Sequence, residues 1–200
     1  MKRSCHPILP RCSTERACDL DEGAARLIHF AWHRDLRDDE PDNTYLWADI
    51  GLDTANARYL AAFAANLKRN QVNIFYGLDQ AGSCFDSETG DFIPPPLGKG
   101  LTCATFILAV MRSVGFAALL EESWSPREDD AAFGQQIVED LIATQPPIDP
   151  AHISVLASDA GAKRFRPEEV VGGSIQPAEV CPFRSKKHSN WHNRYLLNCS

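Results

Sequence analysis

The chain lacks any apolar run long enough to cross a bilayer, so no membrane span is expected. It also lacks a basic surplus: 20 Lys and Arg stand against 27 Asp and Glu, a formal charge of −7. Nucleic-acid binding wants a basic face, so that class of partner is not expected. The opening residues, MKRSCHPILPRCSTERAC, have a basic start but no apolar core of the signal-peptide kind, and a cytoplasmic location is the expectation. No close cysteine pair with zinc-finger spacing occurs, and no internal repeat.

What is present is ordinary globular material. Apolar residues make up 44% of the 200 and charged residues 24%, enough for one domain with a sizeable core. Composition divides the chain into an irregular tail at 1–23, a domain at 24–173 and a second tail at 174–200. Five of the seven cysteines lie in the terminal regions, and the odd count leaves at least one thiol outside any pairing. Reduced thiols are expected where no secretory signal is visible. Cys5, His6, Cys12 and Cys18 at one end match no metal-site spacing; at the other, His188 and His192 have the spacing of half a zinc finger and are flanked by Cys181 and Cys199, but the close cysteine pair of the other half is missing. No metal and no cofactor is therefore expected.

The most informative stretch is residues 98–115, GKGLTCATFILAVMRSVG. A glycine-rich lead-in is followed by Thr102 and Cys103, then by an apolar run of helical length closed by Gly115. A helix start carries partial positive charge and N–H groups without helical partners, which favour a thiolate there. Cys103 is thus either a nucleophile or a small buried hydrophobe, and this stretch alone does not separate the two.

Elsewhere, residues 27–33 form an aromatic-rich run of strand length carrying His29 and His33. On a strand, Leu27, His29, Ala31 and His33 share one face and Ile28, Phe30 and Trp32 the other. Residues 37–43, RDDEPDN, read as a charged turn and residues 45–50, YLWADI, as a second strand. Residues 53–69 form an amphipathic helix capped by Asp53 or Thr54. Residues 72–78, VNIFYGL, are extended, and residues 79–100 a long loop containing three consecutive prolines. A helix is expected from Asp129 or Asp130 to Ala143, and a strand at 151–157, AHISVLA, carrying His152. Pro167 followed by two glutamates marks a short helical turn ended by Gly172 and Gly173.

A helix, an extended piece with Tyr76-Gly77, a loop, and a cysteine opening a glycine-terminated helix form a constellation. It resembles the NlpC-like branch of papain-fold cysteine hydrolases, over roughly residues 50–116. That family's pattern has a tyrosine–glycine segment and then DCSGLV. Here Thr102 stands at the aspartate position and Ala104 at the serine position, and the intervening loop is longer. The resemblance implies an α+β, papain-like domain with a small antiparallel sheet packed against the helix that carries Cys103.

It also implies acyl transfer on a peptide, amide or lipid-like small substrate. Cys103 would be the nucleophile, a histidine the general base, and Tyr76 and Thr102 would line the substrate site. His152 fits the ordinary chain order. His29 fits the circularly permuted branch, which includes lecithin retinol acyltransferase-like proteins, and this order follows the chain with fewer gaps. His33, Asp49 and Tyr76 are candidates for a third, orienting group. The competing expectation is a non-catalytic binding or scaffold protein that keeps a papain-like fold.

Overall fold

The computed structural model describes residues 25–41 and 50–175. The expected terminal tails, their Cys/His clusters, nearly all of the 45–50 strand, and Asp49 lie outside the described residues. Within them the protein is α+β, with five α-helices and two small antiparallel sheets.

The first sheet is a hairpin of β1 (Leu27–Trp32) and β2 (Asp35–Asp39). Its two-residue turn is His33-Arg34, with Arg34 in the left-handed region at φ 58°. The partner of β1 therefore includes residues 37–39, the first part of the segment that reads as a charged turn from sequence. β2 escapes a pattern reading because Leu36 is its single apolar residue, the inward one, while Asp35, Arg37 and Asp39 occupy the alternate positions. Leu27, Ile28, His29 and Phe30 of β1 are all buried, so both of its faces are covered.

Helix α1 (Thr54–Arg69) begins where the Asp53 carboxylate accepts N–H bonds from Ala55 and Asn56 at 2.9 and 3.0 Å. Leu60, Phe63 and Leu67 recur at helical spacing and enter the main core. Lys68 near its C-terminus donates to the Leu36 carbonyl at 2.8 Å, tying α1 to β2.

Two extended segments then lie side by side. Tyr76 and Leu101 form a parallel bridge, with Leu101 N–H donating to Phe75 O at 2.9 Å and Gly77 N–H to Leu101 O at 3.3 Å. A Cβ on Gly77 would fall on the Gly100 backbone, and one on Gly100 on the Phe75 carbonyl, both well inside the 3.0 Å that real Cβ atoms keep. The Tyr-Gly and Gly-Lys-Gly signatures thus record one close approach of backbones. The long loop between these segments carries a small hairpin, β3 (Cys84–Phe85) with β4 (Phe92–Ile93).

Helix α2 (Cys103–Ser113) is apolar almost all round and is buried accordingly. Phe106 meets Phe30 of β1 and Phe85 of β3 at centroid distances of 6.1 and 6.0 Å. Ala104, Leu108 and Met111 face a second cluster with Trp124, Phe165 and Val170. α2 therefore joins the two apolar clusters, and an antiparallel hairpin does pack against the helix that carries Cys103. Gly115, at φ 86°, lets the chain leave the helix.

Helix α3 (Asp130–Ile142) follows the expected span. Residues 151–157 differ: they belong to α4 (Pro150–Ser158), not to a strand. A seven-residue apolar run with Ile153 and Val155 suits either structure. The deciding signal is Asp149, whose carboxylate accepts from Ala151 N–H at 2.8 Å, with Pro150 at the first helical position. Helix α5 (Pro167–Ser174) runs through Gly172 and Gly173 instead of ending there. Gly173 lies against Leu119 and the Ala118 carbonyl, so its missing side chain permits close packing. Among the described residues, no helix is long and apolar enough to cross a membrane.

Candidate functional site

The start of α2 is built by a reciprocal pair of threonines. Thr102 is extended at φ −94° and ψ 174°, and its hydroxyl accepts Thr105 N–H at 3.2 Å. The Thr105 hydroxyl in turn accepts Thr102 N–H at 2.7 Å, closing a capping box. Cys103 is therefore the first helical residue, ahead of the first intrahelical bond, which runs from Phe106 N–H to Thr102 O. It is half-buried, and neither Cys103 nor Cys84 forms a disulfide. The Thr102 hydroxyl and N–H are both engaged in this cap.

Tyr76 lies one bridge away from the residue that precedes Thr102. Its ring packs on Phe30 and Trp32, with centroids 5.9 and 4.9 Å away. The backbone edge that faces away from Leu101 is held by two histidines. Tyr76 N–H donates to His33 Nδ1 at 3.3 Å, and His152 Nε2 lies 2.8 Å from Tyr76 O. The carbonyl can only accept, so His152 carries its proton on Nε2. The two imidazoles meet edge to face at 5.3 Å. His33 is pushed down to about 4, first by burial, then by His152 and Arg34. A neutral His33 is what its acceptor role at Nδ1 requires.

His29 belongs to a different neighbourhood. Its Nε2 lies 2.8 Å from Asp39 Oδ2, a diagonal pair across the β1–β2 hairpin. The His29 bond is the main cause holding the Asp39 carboxyl below its usual range. Asp39 is thus ionised near neutrality, and a carboxylate only accepts, so Nε2 bears a proton. Alternation along β1 sets His29 on the face opposite Phe30, the residue that meets Phe106 of α2.

The structure thus brings Tyr76, His152 and Thr102 into one region around the Leu101 bridge, and pairs His29 with Asp39. Asp39 was not legible as a partner. It sits in a charged run, and only the position of the turn reveals that it faces His29. Among the described residues, no group of three or more His, Cys, Asp or Glu side chains is placed to hold a metal ion. Lys99 fixes the lead-in to α2 from the side, donating to Asp79 at 2.8 Å and to Asp159, just past α4, at 2.9 Å. No protein-family model, curated protein or solved structure matches the chain.

Proposed function

We propose that the chain is a thiol-dependent hydrolase or acyltransferase that acts on an amide, peptide or ester, in a papain-like domain of permuted order. The observation that carries this reading is Cys103 as the first residue of a capped, buried helix, with a His29–Asp39 hydrogen bond on the hairpin that packs against that helix. A helix start favours the thiolate, and a carboxylate on one imidazole nitrogen leaves the other basic.

In this reading the Cys103 thiol gives its proton to His29 Nδ1, and the sulfur adds to the substrate carbonyl carbon. The negative oxygen of the adduct is stabilised by amides at the α2 start. Collapse breaks the bond to the leaving amine or alkoxide, which takes the proton from His29. Water or an acceptor alcohol then attacks the thioester, His29 takes its proton, and the thiolate leaves and is reprotonated.

Two observations favour a second reading, a non-catalytic binding protein: His29 shares no strand face with Phe30, and His152 already has its Nε2 on Tyr76 O. Mass spectrometry after exposure to an activated acyl ester separates the two. Hydrolase chemistry gives one acyl group on Cys103, removed by water and absent in Cys103→Ala and His29→Ala. Equal acylation of every accessible cysteine, unchanged by His29→Ala, would sink the hydrolase reading.

A further inference from the structure

A narrow space lies between the start of α2 and the start of α3, with room for about one water molecule. Thr102 and Thr105 line it from α2, Asp130 and Phe133 from α3, and Lys163 and Arg164 from the segment before α5. Asp130 is 1% exposed, and its carboxylate is half satisfied. Oδ2 accepts the backbone N–H groups of Arg127 and Arg164 at 2.9 and 3.3 Å. Oδ1 is buried with no hydrogen-bond partner among the described residues, and Arg127 Nε stands 3.7 Å from it. Native proteins seldom leave a buried carboxylate oxygen without a donor, because desolvating it is costly.

The threonine cap has hydrogen-bonding capacity to spare. Each hydroxyl carries one O–H and two lone pairs. Two of the four lone pairs accept the Thr102 and Thr105 N–H groups, at 2.7 and 3.2 Å. One O–H and one more lone pair are used between the two hydroxyls, 3.2 Å apart. One O–H, whose alternative is a long 3.4 Å contact with Thr102 O, and one lone pair remain. The wall thus offers both donors and acceptors, with charges of both signs. A carboxylate in it repels an anion, and Lys163 and Arg164 repel a cation. A neutral guest that both donates and accepts fits.

We propose that this space binds a single water, which donates to Asp130 Oδ1 and is shared with the hydroxyls that cap α2. One of its protons goes to Oδ1, the other to the remaining threonine lone pair, and its oxygen accepts the remaining threonine O–H. Three partners of this kind are what buried waters ordinarily have. The water joins the start of α3 to the start of α2, whether or not Cys103 is a nucleophile.

High-resolution diffraction from crystals of the full chain tests this directly. The expected result is one water within hydrogen-bond distance of Asp130 Oδ1 and of the Thr102 or Thr105 hydroxyl. Arg127 Nε closed onto Oδ1 with no water between them overturns the proposal. Oxygen contacts as short as those of a metal ion, or density for a larger solute, overturn it as well. In solution, oxygen-17 relaxation dispersion counts the waters that a protein holds far longer than its surface water. Asp130→Leu should lose one such water relative to the parent. Thr105→Val, which keeps the shape without the hydroxyl, should lose the same one. A count unchanged in both variants overturns the proposal, and if neither variant folds, diffraction from the parent decides.

Discussion

His152 on α4 holds the carbonyl of Tyr76 at 2.8 Å, and Tyr76 is the residue bridged to Leu101 at the threshold of α2. The imidazole is buried and spans 76 positions of sequence to do so. Removing it leaves a buried carbonyl without that donor and opens a void. His152→Ala is expected to cost about 2–4 kcal/mol, from the unsatisfied group and the lost packing together. Chemical denaturation followed by circular dichroism measures it. An unchanged midpoint would mean that His152 is held for chemistry and not for structure.

His33 makes stability depend on pH. Its folded value of about 4 lies below the unfolded value near 6.5, so the unfolded chain binds the proton more readily. The contribution of neutral His33 is complete above pH 6.5 and is lost as the pH falls from 6.5 towards 4. Protonation would also end acceptance at Nδ1 and set a cation beside Arg34 and His152. Denaturation midpoints should fall over that window, and His33→Gln should flatten the slope there. A parent chain with equal stability at pH 4.5 and 7 would contradict the assignment.

Helices α1, α2 and α3 were legible because apolar spacing, cap residue and length agree in each. Asp53, Thr102 and the Asp129-Asp130 pair mark their starts in the sequence itself. β1 was legible from its continuous aromatic and apolar run. α4 was misread because a seven-residue apolar run with Ile153 and Val155 suits a strand equally, although Asp149-Pro150 marks a helix start. β2 and the His29–Asp39 pair were illegible because β2 has a single apolar residue and its turn, His33-Arg34, carries no glycine, asparagine or proline signal. Nothing within residues 37–43 tells a charged turn from a charged edge strand.

The backbone crossing of residues 75–77 with residues 99–101 should tolerate no side chain. Gly77→Ala and Gly100→Ala each drive a methyl into main-chain atoms, which cannot move without breaking the Leu101 bonds. Each is expected to cost about 3 kcal/mol or more, at the upper end of overpacking. Gly115→Ala is a control of another kind: its Cβ meets nothing within 4 Å, but its φ of 86° strains any L side chain. A cost of about 1 kcal/mol is expected there. Equal melting-temperature losses at all three sites would show that backbone conformation, not the close approach, is what these glycines serve.

The His29–Asp39 pair gives the thiol reading its sharpest kinetic test. Asp39 is half-exposed, with 51% of its side chain accessible, so Asp39→Asn should leave stability within about 0.5 kcal/mol of the parent. Its effect should fall on chemistry. The amide neither holds the Nε2–H tautomer as a carboxylate does nor stabilises the imidazolium that forms when His29 takes the Cys103 proton. With an activated ester, kcat should fall by about 10²-fold or more with KM little changed, as expected for an interaction strengthened in the transition state. His29→Ala should fall at least as far, and the double variant no further than His29→Ala alone, because Asp39 acts through His29. Should Asp39→Asn and His29→Ala both retain the parent's kcat, the pair is a cross-strand contact of the hairpin and the base for Cys103 lies elsewhere.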